Sequence, residues 1–295
     1  MRKMNSEKRF RMICLIILLI FTAICVAPFL LMVAASVTDE NALIAEGYRF
    51  WPSKFSFNCY KYLWLKRETI SRAYLISIFV TVVGTLVNIT ITSLFAYPLA
   101  RKDFKWRNTF AFLVFFTMLF NGGLVATYIS YVTIFHVKNT IFGLIVPNLL
   151  MNAFNIMLVR NYFSHSIPEE IYESARIDGA SEFVIFFKLV LPLSVPILAT
   201  VGLMSGIAYW NDWQNALYYI DDKSLYTVQA VLNAINESVA MLASLGGTAG
   251  ASAADLPSTT IRMAVAVVGI FPVLVAYPFF QKYFAAGLMA GSVKG

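Results

Sequence analysis

The sequence predicts an all-α polytopic membrane protein with six transmembrane helices, and three observations carry that prediction. Of 295 residues, 59% are hydrophobic and only 13% are charged, whereas a soluble domain carries about 25% charged residues. The apolar residues gather into six stretches, each near the roughly 20 residues a helix needs to cross a bilayer. The 23 Lys and Arg residues fall between those stretches rather than in the middle of them, as positive charge does in membrane proteins.

The elements follow in order. Residues 1–12 are basic, with Arg2, Lys3, Lys8, Arg9 and Arg11, and residues 13–37 carry no charge. A basic start before an apolar run can be a signal peptide. This run is longer than such a core and five more spans follow, so it is expected to remain as the first transmembrane helix. Residues 38–72 form an external loop holding Trp51-Pro52 and a short surface helix near Cys59–Arg67. The core, 73–281, has spans at Ala73–Ala100, 108–128, 139–159, 193–213 and 263–280, then a tail at 282–295. Residues 166–192 form a charged island between spans four and five. Residues 214–262 form an external loop, with a Gly, Ala and Ser-rich insertion at 240–254 expected to be flexible.

Orientation comes from the basic residues. With the N-terminus inside, the inner segments hold 14 Lys and Arg against 9 outside, and Arg101-Lys102…Lys105-Trp106-Arg107 is a compact inner anchor. Both termini are then cytoplasmic. The pI of 9.2 is a matter of topology and does not call for nucleic acid. Cys14, Cys25 and Cys59 are too few for a disulfide framework and read as small apolar fillers. His136 and His165 fall on opposite sides of the membrane, so they cannot share a metal, and no glycine-rich phosphate loop is present. An enzyme is therefore not expected, and any ATP must be bound by another chain. A secondary transporter is the alternative. It would call for ionisable residues inside the spans, and no Asp, Glu, Lys or Arg lies in the middle of any of them.

The charged island is the most informative stretch. Ser166-Ile-Pro-Glu169 reads as a capping box opening a helix. Ile167, Ile171 and Ala175 recur every four residues as one apolar edge, and Gly179 can take the left-handed conformation that stops a helix. A second helix is expected from Ser181 to Pro192. The product is a helix–Gly–helix knob shaped to fit a groove on another molecule.

Glu173-x-Ala175-x-x-x-Gly179 followed by Leu189-x-Leu191-Pro192 resembles the EAA loop of ABC importer permeases, and is most similar to carbohydrate-uptake, MalG-like subunits. The usual second Ala is Ser174 here. The C-terminal Gln281…Phe284…Gly287-Leu-Met-Ala-Gly291-Ser-Val-Lys294-Gly295 and the span-two ending Ala96-Tyr97-Pro98 resemble the same family. Asn121-Gly-Gly-Leu-Val-Ala-Thr-Tyr128 resembles its LplC/YtcP-like subgroup, which includes importers of alginate and other polysaccharide fragments. The resemblance implies the type I ABC importer permease fold. It also implies one half of a pathway that imports a sugar, an oligosaccharide or a polysaccharide fragment, uronates included. Implied partners are a second, MalF/LplB-like permease, two ATPases that hold ATP-Mg, and an external solute-binding protein. Implied ATPase-coupling residues are Glu170, Glu173, Ser174, Ala175, Asp178, Gly179 and Ala180. The tail, through Gly287, Gly291 and Lys294, is implied to reach between the ATPases.

Two polar groups within the spans remain. Ser77, Thr81, Thr85, Asn88 and Thr92 mark one face of span two, and Asn148, Asn152 and Asn155, at spacings of four and three, one face of span four. Such faces either bond neighbouring helices or line a solute pathway. Trp210-Asn211-Asp212-Trp213 at the outer end of span five is either an interfacial aromatic belt or part of that pathway; it resembles the "WN" stretch of sugar permeases. Gly202-x-x-x-Gly206 signals close helix packing.

Overall fold

The computed structural model describes residues 6–245 and 258–292. Apart from one isolated antiparallel bridge between Thr38 and Phe55, their regular structure is helical. The chain divides into two units, residues 1–68 with 232–271, and residues 69–231 with 272–295.

In the first unit, α1 (Ser6–Ser36) is a single 31-residue helix. Leu15, Leu18, Phe21 and Ile24 are among its many exposed apolar side chains, as suits a helix solvated by lipid. The chain then folds back. Asp39 donates its N–H to the Lys54 carbonyl at 2.9 Å, and Ser56 donates to that of Val37 at 2.9 Å. Two short helices, α2 (Glu40–Glu46) and α3 (Asn58–Leu65), lie in this segment, α3 where a surface helix was expected. Cys59 is buried and its thiol donates to the Ser36 carbonyl at 2.9 Å, which makes it a structural filler. The same unit holds the start of α15 (Ser258–Ser292). There Glu40 supplies a cap from a distant part of the chain. Its Oε1 accepts the Thr259 N–H at 2.8 Å, and its Oε2 accepts the Thr260 N–H at 2.8 Å and the Thr260 hydroxyl at 2.7 Å. Those N–H groups have no partner inside the helix, and the positive end of the helix dipole favours a carboxylate.

The second unit is built on α4 (Arg67–Ala100), whose inward line includes Ser77, Val80, Gly84, Asn88 and Ala96. α5 (Arg107–Leu119) and the run from α6 (Gly123–Ile129) through a π-helical turn (Ser130–Ile134) follow, bent against each other by 115°. The bend falls at Asn121-Gly122-Gly123, where Gly123 has φ +80° and the Asn121 side chain accepts its N–H at 2.9 Å. Next come α7 (Phe142–Ile145), α8 (Ala153–Ser166), α9 (Glu169–Ile177) and α10 (Glu182–Ile185). A π-helical turn (Phe186–Val190) and α11 (Leu191–Leu193) lead into α12 (Val195–Asn211) at a 78° bend. α13 (Gln214–Tyr219) and α14 (Val228–Leu245) complete the order. By length and apolarity two helices can span a membrane, Lys8–Ser36 and Arg67–Ala100, or up to four spans if each bent pair counts as one; Thr259–Val275 is a further apolar segment. The chain is a multi-pass, helical membrane protein, as its composition predicts.

Three expectations are corrected. The Ser166 capping box does not form: Ser166 ends α8, and α9 begins at Glu169 with Pro168 as its N-cap. The cause is Pro168, because a residue before proline is driven out of the helical region, and Ile167 is extended at φ −108°, ψ 114°. Much of 214–262 is helical in α13 and α14, with Val228, Val231, Leu232 and Ile235 at helical spacing; residues 246–254 of the proposed insertion lie outside the described residues. Finally, Asn148, Asn152 and Asn155 do not share a helical face. The stretch 146–152 is broken, with Asn148 at φ +62° and Asn152 the extended N-cap of α8.

A break in a helix leaves carbonyls without their helical partners, and neighbouring side chains serve them here. Asn88 donates to the Leu149 and Leu150 carbonyls at 2.9 and 3.0 Å. Asn215 donates to Pro147 at 3.0 Å, and the Tyr209 hydroxyl to Ile145 at 2.9 Å. Ser205 donates to the Asn88 amide oxygen at 2.8 Å and accepts from Asn155 at 3.3 Å. α12 can approach α4 closely because glycines face the contact: a Cβ on Gly84 would sit 2.6 Å from the Tyr209 ring, and one on Gly202 2.8 Å from Ile89 Cδ1.

Candidate functional site

The knob is α9, a turn at Gly179, and α10. Its first helix closes as a Schellman motif: Ala180 donates to the Ala175 carbonyl at 2.9 Å and Gly179 to that of Arg176 at 3.0 Å. Gly179 has φ +77°, the left-handed geometry the sequence predicts. The Ser181 hydroxyl then caps α10 by accepting the Val184 N–H.

One face of the knob is embedded. Ile167, Tyr172, Ala175, Ile185, Phe186 and Val190 are buried in one cluster with Ala96 and Leu99 of α4 and with Ile156, Val159 and Phe163 of α8. The predicted edge of Ile167, Ile171 and Ala175 is thus the anchoring face. The opposite face is open. Glu170, Glu173, Ser174, Asp178 and Gly179 are exposed and Ala180 is half-buried. Beside them stand two apolar side chains that sequence reasoning missed, Ile177 at 86% exposure and Phe183 at 75%. The signal was present: a large apolar residue stands on either side of the Gly179 turn within an otherwise charged stretch.

A chain of charges ties the knob to the end of α4. Arg101 is buried, and its guanidinium lies 3.8 Å over the Tyr172 ring, a cation–π contact in a partly desolvated place. It pairs with Glu169 at 3.2 Å and Asp103 at 3.1 Å. Arg176 of α9 reaches Asp103 at 2.6 Å and grips Glu182 Oε1 of α10 through Nη2 and Nε at 2.7 and 3.0 Å. The Tyr97 hydroxyl of α4 donates to the other oxygen of Glu182 at 2.5 Å. The Arg176 guanidinium holds the exposed Asp103 carboxyl below the usual carboxylate range. Burial pushes the Glu182 carboxyl up, and hydrogen bonds from Tyr97 and Arg176 more than offset it, so Glu182 also sits low. Exposed ion pairs are worth only about 0.2–1 kcal/mol each. What this network supplies is geometry: each helix of the knob is bonded to α4 or to the loop that leaves it.

The other predicted residues divide. Asn88 and Asn155 are buried and bonded within the protein. Ser77 accepts the Val228 N–H at 2.7 Å, whereas the hydroxyls of Thr81, Thr85 and Thr92 have no partner among the described residues. Trp210 is buried beside Tyr74, ring centroids 6.1 Å apart. Asn211 is exposed, and its amide bonds back to the Ile207 carbonyl at 3.0 Å. Asp212 Oδ1 accepts the N–H groups of Gln214 and Asn215 at 3.2 and 3.3 Å, and the adjoining Trp213 is half-buried. Asn148 and Asn152 instead line an open groove of about 970 Å³. Gly287 and Gly291 lie in the last turns of α15, and Lys294 lies outside the described residues. Among the described residues no group of His, Cys, Asp and Glu could hold a metal.

The chain is similar to known proteins. Residues 88–289 match the model of the "Binding-protein-dependent transport system inner membrane component" family. The chain is 40% identical over 292 residues to the polygalacturonan/rhamnogalacturonan transport system permease protein YtcP of Bacillus subtilis, covering 98% of this chain and 100% of that one. It is 40% identical to protein LplC of the same organism, over 92% of this chain and 90% of the other. Among solved structures it is similar to a chain of a bacterial ABC transporter involved in the import of the acidic polysaccharide alginate. That match has a TM-score of 0.77 and 28% identity, covering 96% of this chain and 99% of that one. A match across the knob, the broken span and most of α15, and full-length identity of 40% to a permease, place the chain in the family of inner-membrane components of binding-protein-dependent transport systems.

Proposed function

We propose that this chain is one of two permease subunits of an ATP-driven, binding-protein-dependent importer of a sugar, taken up as an oligosaccharide or polysaccharide fragment, uronates included. The observation that carries the reading is the knob, clamped to α4 on one face and open on the other, with Ile177 and Phe183 exposed beside Glu170 and Glu173. The names of the relatives, with polygalacturonan, rhamnogalacturonan and alginate among their solutes, support the solute class. In this reading the chain binds no cofactor and catalyses no reaction itself. Two ATPases hold ATP-Mg, and Glu170, Glu173, Ser174, Ala175, Asp178, Gly179 and Ala180 form or support the surface that docks on them. A MalF/LplB-like permease completes the pathway, and an external binding protein delivers the sugar. Both termini are cytoplasmic, and the tail with Gly287, Gly291 and Lys294 approaches the ATPases. Closure of the ATPases on ATP pushes the knob, α4 follows, and the spans pass between inward-open and outward-open states.

The test is co-purification with the neighbouring gene products. The wild type should bring down a second permease and an ATPase in fixed proportion. Gly179→Asp and Glu173→Lys should keep the permease and lose most of the ATPase. A Cβ at Gly179 meets nothing within 4 Å, but φ of +77° strains any residue other than glycine, so Gly179→Asp also loads the turn; Glu173→Lys leaves the backbone alone and reads the docking face directly. Normal ATPase recovery with both variants would sink the docking assignment.

A further inference from the structure

The groove of about 970 Å³ runs from the end of α5 past the π-helical turn after α6 to the broken stretch before α8. Asn121, Tyr131, Phe135, His136, Asn148 and Asn152 are among its lining residues, and the lining has no Asp, Glu, Lys or Arg. Among the described residues three non-glycine positions have positive φ: His136 at 50°, Asn139 at 53° and Asn148 at 62°. Such a backbone is disfavoured and persists only where the surroundings enforce it. Asn139 is accounted for, because its side-chain oxygen accepts the N–H groups of Asp221 and Asp222 at 2.6 and 3.2 Å. His136 and Asn148 have no such bonds among the described residues. Both line the groove.

The fold thus spends the buried amides of Asn88, Asn155 and Asn215 on the broken stretch and its surroundings, while the side chains of His136 and Asn148, at an open cavity, have no bonding partner among the described residues. The chemistry of the lining narrows the ligand. An acyl chain has no use for amides. A metal ion has no use for aromatic faces and finds no carboxylate here. A pyranose ring presents apolar C–H faces that aromatic rings cover, and hydroxyls that both donate and accept, as an amide does. We infer that this groove is a saccharide-binding site of the permease itself, gripping pyranose rings by their faces and hydroxyls and indifferent to whether they carry a carboxylate. The inference rests on the sugar-importer reading and adds where, and by what groups, this subunit holds the solute.

The test uses the complete complex of this chain, its partner permease and the ATPases, with the binding protein added for uptake into proteoliposomes. The same complex in nanodiscs, without the binding protein, is used for saturation-transfer NMR. The probes are trigalacturonate and its fully methyl-esterified, neutral form. Asn148→Gly and His136→Gly remove the amide and the imidazole, and glycine keeps the left-handed backbone at both positions. Loss of one hydrogen bond predicts an apparent Kd about fivefold weaker for each variant. The factor should be the same for both probes, with the partner permease recovered at the wild-type level. Unchanged Kd values with wild-type uptake intact would overturn the groove alone. A loss confined to the acidic probe would overturn the indifference to charge. Loss of the partner permease from the variants would make the groove a subunit contact and overturn the site. A wild-type complex that hydrolyses ATP yet imports neither probe would overturn the importer reading, and this inference with it.

Discussion

Gly84→Ala tests whether the contact between α4 and α12 is as tight as described. The added methyl would lie 2.6–2.8 Å from three carbons of the Tyr209 ring, about 1 Å inside the usual contact distance. The ring cannot simply retreat, because Tyr209 is 2% exposed and its hydroxyl is tied to the Ile145 carbonyl. Overpacking of this kind costs about 1–3 kcal/mol. If the ring does shift, the lost hydrogen bond adds about 1 kcal/mol. Against this, alanine is the better helix former by about 1 kcal/mol. With the ring displaced, the net is a destabilisation of about 1–3 kcal/mol, read as a lowered melting temperature of the purified complex. Two controls lie on the same contact. At Gly202 the methyl meets only the flexible end of Ile89 at 2.8 Å, and at Gly206 it meets Thr85 Oγ1 at an ordinary 3.5 Å. Gly202→Ala should therefore cost little, and Gly206→Ala should melt at or above the wild type. A Gly84→Ala complex as stable as the wild type would refute the packing argument.

Asn88→Leu strips the Leu149 and Leu150 carbonyls and the Ser205 hydroxyl of their partner. At about 1–3 kcal/mol per stranded group it should cut the yield of folded chain sharply, as read by fluorescence size exclusion, while Asn148→Gly should not. Arg176→Ala should free α9 from Asp103 and from Glu182 of α10; a nitroxide on Ile177→Cys would then give a sharper resonance line, and Arg176→Lys would restore only part of the constraint. Acid should act through the same bonds. Asp103 and Glu182 have depressed values in the folded chain, so their contribution is complete above the ordinary carboxylate value of about 4. It is lost as pH falls through the lower folded values. The nitroxide line should be flat from pH 8 to 5 and sharpen only below about pH 4; a change centred near neutrality would exclude these carboxylates as the cause.

What could be read from the sequence was what depends on local chemistry. The left-handed stop at Gly179, a helix start near Ser181 and a surface helix near Cys59–Arg67 follow from residue type and spacing; the turn is left-handed, α10 begins at Glu182 and α3 covers Asn58–Leu65. The misreadings arose where a nearby residue outweighed a pattern. The Ser166–Glu169 spacing was correct for a capping box, but Pro168 forces Ile167 to be extended and moves the helix start. The asparagines at 148, 152 and 155 keep helical spacing, but the spacing cannot show that the helix between them is broken. The break is supported from Asn88, Ser205, Tyr209 and Asn215, at least 61 residues away along the chain from the carbonyls or amide they serve in all but one case, where Asn155 meets Ser205 across 50. The clamp on the knob was hidden for the same reason: Arg176 and Asp103 are 73 residues apart, and Tyr97 and Glu182 are 85 apart.

The Glu40 cap on α15 has a consequence for how the protein is made. Its partners, Thr259 and Thr260, lie 219 and 220 residues further along the chain. A ribosome adds about 5–20 residues per second, so the carboxylate waits roughly 10–40 seconds for its partners. Throughout that interval it must remain hydrated, and the segment bearing it cannot take its final bonding. The contact then forms as the last helix is delivered, which makes Glu40 a late-acting residue in biogenesis: its loss should leave early insertion untouched and show itself as nearly complete chains that are degraded before they mature.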